Sequence, residues 1–173
     1  MQNQDRLARN AVIVVHIALW ANRLFLLGVT LALLLLLAFP ANLAAIVAHE
    51  LPGSDVPSAM TGVRLLVLLG VAMSLVTDRL LVTLAAITAS ASAGDPFIAA
   101  NAHGLQKIGW CLFALQLFEI PGALIAKNFP SLGPAAPSGD FSIGGWIAVL
   151  MVFVLARVFA AGSAMRDDLE GTI

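Results

Sequence analysis

Leu24 to Val47 carries no charged residue, and its centre, Leu31 to Ala38, is an almost solid block of aliphatic side chains. An α-helix rises about 1.5 Å per residue and a bilayer core is about 30 Å thick, so this run is long enough to cross a membrane. A helix that is apolar on every face belongs in lipid or deep inside a large protein. This chain has only 173 residues. Three more runs reach spanning length: Val63 to Ala86, Ile108 to Ala126 and Ile143 to Ala161. The expected fold is therefore all-α: a polytopic, four-transmembrane-helix bundle forming one membrane domain over residues 1–173. Its spans are about 24–47, 63–86, 108–126 and 143–161, with a connecting segment at 90–107 and a tail at 162–173. Hydrophobic residues make up 60% and charged residues 11% of the chain. Soluble domains carry roughly 25% charged residues. Four spans and their connections use nearly the whole length, which leaves little for a soluble catalytic domain.

Short loops rich in Lys and Arg stay on the cytoplasmic side. Arg6, Arg9 and Arg23 precede the first span, Arg79 and Lys107 flank the 90–107 segment, and Arg157 and Arg166 lie near the end. The other two connections have only Arg64 and Lys127 at their edges. Both termini and the 90–107 segment are expected to face the cytoplasm, as in a multi-pass protein of the inner (plasma) membrane. The 49–62 and 128–142 connections are expected outside, where their Pro and Gly content reads as turns rather than folded elements. The apolar stretch after Arg6 and Arg9 exceeds the roughly 7–15 residues of a signal peptide's core, so it reads as a retained span; the alternative is cleavage near the small residues Ala41 to Ala45, leaving three spans. Pro40 should kink the first span or end its regular part. Gly94 should end the long second helix, and Asp95-Pro96 reads as an N-cap with a proline in the first turn of the next.

Ionisable groups within a bilayer are costly and are candidate functional residues. Here they are Asp78, Arg79, Glu119 and Arg157. Counting the rise places Asp78 and Arg157 at similar depth, which makes them the natural pair, while Arg79 can snorkel to the headgroups. Glu119 falls close to the midplane, next to the helix-breaking Pro121 and one turn from Gln116. It reads either as a structural carboxyl bonded between helices or as a proton or cation site. A metal centre has no support: His16, His49 and His103 fall on separate segments, and His49-Glu50 is followed by Pro52 and Gly53 instead of a second histidine. Catalytic nucleophile signatures and phosphate-binding glycine loops are absent too. The lone Cys111 forms no internal disulfide. The net charge of −1 gives no pull toward nucleic acid. No cofactor is implied. Ala156, Ala160 and Ala164 form a small-residue ridge that favours close helix contact.

Two segments carry a more specific pattern. One is Gly94-Asp95-Pro96-Phe97, followed by Asn101, Leu105 and Ile108-Gly109-Trp110. The other runs from Val158-Phe159 through Gly162 to the charged close with Arg166, Asp167, Asp168 and Glu170. Together they resemble the bacterial four-span membrane proteins filed as domain of unknown function 2975. That family has no established biochemical activity. Its members often sit beside a small helix-turn-helix DNA-binding regulator, which implies signalling to, or restraint of, that regulator. On this reading the protein is non-enzymatic, and its partners are the lipid bilayer and a cytosolic DNA-binding regulator. Its partner surface would comprise Asp95, Phe97, Asn101 and the tail residues Arg166, Asp167, Asp168 and Glu170. A homo-oligomer fits the same reading. A small proton-linked or lipophilic-solute carrier centred on Glu119 is the leading alternative, and purely structural assembly in the membrane is a third.

Overall fold

The computed structural model describes residues 2–50, 55–94, 96–137 and 142–170. Among the described residues six α-helices follow one another: α1 (Gln2–Ala38), α2 (Pro40–Glu50), α3 (Val56–Ser92), α4 (Ala99–Leu117), α5 (Glu119–Asn128) and α6 (Ile143–Glu170), with a 3-10 segment at Pro130–Ala135 between the last two. No strand occurs among the described residues. Among the described residues four helical stretches are long and apolar enough to cross a membrane: Arg9–Ala38, Val56–Ser92, Ala99–Asn128 and Ile143–Arg166. Their flanks stay bare, with Leu24 69% and Leu150 66% exposed. A water-soluble surface does not carry continuous apolar flanks of this kind, whereas lipid requires them. The protein is a four-span, all-α membrane protein.

Each proline break has a local cause. Pro40 has no N–H to give to the carbonyl four residues earlier, that of Leu36. Helix α1 accordingly stops at Ala38, with the Phe39 N–H still bonded to the Leu35 carbonyl at 2.9 Å, and α2 begins at Pro40. The guanidinium of Arg64 on α3 fills the vacancy, donating from Nη2 to the Leu36 carbonyl at 3.3 Å. Pro121 acts likewise on the third span: α4 ends at Leu117, and α5 restarts at Glu119 with the Gly122 N–H bonded to the Phe118 carbonyl at 3.1 Å. Helix α6 opens on Ser142, whose hydroxyl accepts the Gly145 N–H at 3.1 Å as a standard N-cap.

The chain divides into two compact units. One gathers Met1–Asn22, Val76–Gln116 and Ser142–Ile173, the other Arg23–Leu75 and Leu117–Phe141. In the second unit the segment after α5 departs from expectation. Its prolines and glycines read as simple turns, yet Pro130–Ala135 forms a 3-10 helix that buries Leu132 completely. Gly62 of α3 makes the room: a Cβ there would lie 2.9 Å from Leu132 Cδ1 and 3.0 Å from Phe129 Cβ. Gly133, at φ +51° and ψ −128°, kinks the segment in its middle, a conformation that glycine adopts without strain. An apolar side chain with a seat in the protein outweighs the local tendency of proline and glycine to stay irregular.

In the first unit, glycines set the close helix contacts. A Cβ at Gly104 of α4 would meet Ile87 at 3.0 Å, and one at Gly109 would meet Phe153 of α6 at 3.0 Å. The inward residues of α6 are Val149, Ala156 and Ser163, seven apart. Of the alanine ridge read from the sequence, only Ala156 is buried; Ala160 and Ala164 are exposed. The bulk on this face comes from phenylalanines: Phe153 packs against Gly109 and Phe159 against the Phe97 ring. An edge-to-face aromatic series ties α4 to α6: Phe153 to Trp110 at 5.4 Å, Trp110 to Phe113 at 5.7 Å and Phe113 to Trp146 at 5.7 Å.

Two stability predictions follow from this packing. Arg64→Leu strands the Leu36 carbonyl and should cost about 1–3 kcal/mol. Adding Pro40→Ala returns a helical N–H to that carbonyl and should recover much of the loss, read as the melting temperature in detergent. Leu132→Ala should cost about 2–5 kcal/mol if the 3-10 segment is part of the packed fold, and close to nothing if it is a surface turn.

Candidate functional site

The turn between α3 and α4 is the most fully built polar feature of the first unit. After Ser92 the chain turns through Gly94 at φ +90°, a conformation that glycine adopts without strain. Asn101, only 4% exposed, holds the turn from inside. Its Nδ2 donates to the Pro96 carbonyl at 2.8 Å, and its Oδ1 accepts from the Ser90 hydroxyl at 2.9 Å. One side chain thus joins the last turn of α3, the linker and the first turn of α4. A buried amide with both ends satisfied fixes geometry, since leaving either end unmade would carry the full desolvation cost.

Helix α4 begins later than the sequence suggested. It starts at Ala99, with the Ile98 carbonyl accepting the Asn101 N–H at 2.9 Å, and Pro96 to Ile98 lie ahead of the helix. The Asn101 side chain bonded to the Pro96 carbonyl holds that residue outside the first turn. Asp95, the expected N-cap, lies outside the described residues.

Phe97 straps the linker onto α6. Its ring stacks on Phe159 at 4.9 Å with a 33° tilt, and Gly162 leaves the room, since a Cβ there would stand 3.0 Å from the Phe97 ring. The two segments singled out in the sequence, Gly94 to Trp110 and Val158 to Ile173, therefore meet through Phe97, Phe159 and Gly162. Phe97 remains 44% exposed. The α6 backbone continues to Glu170, and Arg166 is half-buried and engaged. The side chains of Asp167, Asp168 and Glu170 lie outside the described residues.

The intramembrane polar residues fare differently. Asp78 is half-buried and has an interaction partner, and Arg79 is exposed, its carbonyl accepting the Thr83 hydroxyl at 2.8 Å. Arg157 is exposed, and no ion pair joins it to Asp78 among the described residues. Glu119 occupies the first turn of α5, where the helix dipole favours a carboxylate, and it is half-buried and engaged. Gln116 reaches the Ser142 carbonyl at 3.4 Å through Nε2, and a Cβ at Gly145 would collide with its carboxamide. Among the described residues no three His, Cys, Asp or Glu side chains gather as a metal set. Cys111 is a free thiol, half-buried on α4.

Sequence reasoning missed the Ser90–Asn101 bond. Its signal was a polar residue at the first turn of an apolar helix, eleven positions after a serine in a small-residue run. It also missed the Leu36–Arg64 contact, for which Pro40 and an arginine flanking the next span were the available cues.

No curated protein and no solved structure matches the chain. A family model does, over residues 38–173, so the match starts at the end of α1 and leaves out the first span, whose leucine-rich composition carries little distinguishing pattern. It includes the Asn101 turn, the Phe97–Phe159 strap and the whole of α6, and the chain belongs to the family described as Protein of unknown function (DUF2975).

Proposed function

We propose that this protein is a non-enzymatic regulatory membrane protein of the bacterial inner membrane. It acts by contact between its Gly94 turn and the end of α6 and a small cytosolic helix-turn-helix regulator. The observation that carries this reading is the Asn101-centred turn with Phe97 strapped onto Phe159. A polar linker held by a buried amide and an aromatic stack is pre-organised, and a pre-organised surface binds without the ordering cost of a loose loop. The partly exposed Phe97 edge presents an apolar point on this surface. A soluble partner can reach this surface only if the turn faces the cytoplasm, as the distribution of Lys and Arg favours. The competing reading, a carrier centred on Glu119, draws support from the helix break at Phe118, since broken helices house the central sites of many transporters.

Orientation is tested by single cysteines in a Cys111→Ser background. A membrane-impermeant thiol reagent applied to intact cells should label Ser54→Cys and Ser138→Cys, and should leave Gly94→Cys and Thr172→Cys unlabelled until the membrane is opened. Outside labelling of Gly94→Cys would remove the cytosolic partner from consideration.

Capture of the DNA-binding protein encoded beside this one tests the contact itself. Phe97→Ala and deletion of Arg166 to Ile173 should each weaken capture about tenfold, roughly the loss of one 1.4 kcal/mol contact. Glu119→Gln should leave it unchanged. No capture by the wild type, with loss of function in Glu119→Gln, would favour the carrier.

A further inference from the structure

A hollow of about 320 Å³ opens between α4 and α6 within the first unit. Its walls are Ala102, His103 and Gln106 on one side and Phe153, Ala156 and Arg157 on the other, closed by Ala160. No carboxylate lines it. Arg157 brings a permanent positive charge, and among the described residues it has no ion pair to neutralise it. The His103 ring is bonded through Nδ1 to the Ala99 carbonyl at 3.2 Å. A second groove of about 370 Å³ adjoins the first, sharing Phe153 and Arg157 and adding Leu150, Val154 and Val158. It offers no polar surface, so Arg157 lines it with its apolar stem. Arg157 thus stands at the junction of a hollow with some polar lining and a wholly apolar channel along the exposed flank of α6.

The geometry points to a binding site for an anionic phospholipid, with its phosphate on the Arg157 guanidinium and one acyl chain along Leu150, Val154 and Val158. Arginine meets phosphate through two parallel N–H donors, and Gln106 adds a neutral donor beside it. A basic pocket between membrane helices, near one end of the spans, is where lipid headgroups are held. Free phosphate uses only the hollow, and a soluble peptide cannot follow the channel, because Leu150 and Val154, 66% and 65% exposed, lie on the surface that faces acyl chains. Only a molecule resident in the bilayer satisfies both parts. The small side chains Ala102, Ala156 and Ala160 give the site its depth. The site is independent of the regulator contact at Phe97 and of the orientation of the chain.

Native mass spectrometry of the detergent-solubilised protein tests the assignment, using phosphatidylglycerol and phosphatidylcholine with identical acyl chains at equal concentration. The wild type should bind the anionic lipid with a preference of roughly fivefold, the factor that one basic residue contributes to anionic-lipid binding. Arg157→Gln should abolish the preference and Arg157→Lys should keep part of it. Ala160→Leu, at an exposed position, keeps the charge and fills the hollow, and should also abolish the preference. Inorganic phosphate at equal concentration should not displace the lipid. Equal binding of the two lipids, full displacement by phosphate, or an unchanged preference in Arg157→Gln or in Ala160→Leu would overturn the assignment.

Discussion

In hydrocarbon there is no water to rescue an unmade hydrogen bond, so every backbone N–H and C=O of a span needs a partner within the protein. Regular helix satisfies this rule along most of the chain. Where Pro40 removes a donor, an arginine from the next span supplies one at the Leu36 carbonyl. The same rule governs the hydroxyls and amides scattered through the spans. Thr61 bonds back to the Pro57 carbonyl, Thr88 to Leu84, Ser92 to Thr88 and Asn128 to Leu124, each four residues back. These side chains are polar in the sequence and self-satisfied in the fold, which explains why many polar residues in the spans mark no site. Asn101 and Ser90 are different, since they bond to each other across eleven residues.

Small and large side chains then divide the packing between them. Gly62, Gly104, Gly109 and Gly162 each open a space that a neighbouring Leu, Ile or Phe side chain occupies. Between membrane helices the gain comes from close contact, because lipid tails are as apolar as leucine and drive nothing together. The third span is the most enclosed, 22% buried over its most apolar stretch against 6% for each of the first two. It carries Asn101, Gly104, Leu105, Ile108 and Gly109 as one inward face.

What could be read in advance follows the same physics. Span number and helical class were legible, because length and apolarity alone decide them, as were the effects of Pro40 and the stop at Gly94. The inward faces were not legible. On α1 the more enclosed residues run Val12, Val15, Leu19, Asn22, Leu26, Val29, Leu33 and Leu36, a helical stripe. Leu24, Leu27, Leu31 and Leu34 on the opposite side are just as apolar, so hydropathy cannot tell lipid from protein. Depth counting gives Asp78 and Arg157 the same level but carries no rotation about the helix axis, so by itself it does not decide which side chains face each other. Of the candidate surface, Phe97 and Asn101 were found as residues, whereas their roles as strap and clamp needed coordinates. The 3-10 segment was misread because Leu132 is one apolar residue among prolines and glycines, too short a signal for any periodicity.

The bond from Arg64 to Leu36 reaches across 28 residues of chain. During synthesis the first span leaves the ribosome before its partner does. Until residue 64 has followed it, the Leu36 carbonyl must be served by water or headgroups at the rim of the translocation channel. Helix α1 therefore cannot reach its final hydrogen-bonded state alone, and release into lipid favours α1 together with the start of α3. A proline in one span and an arginine in the next thereby couple the order of insertion to the finished fold.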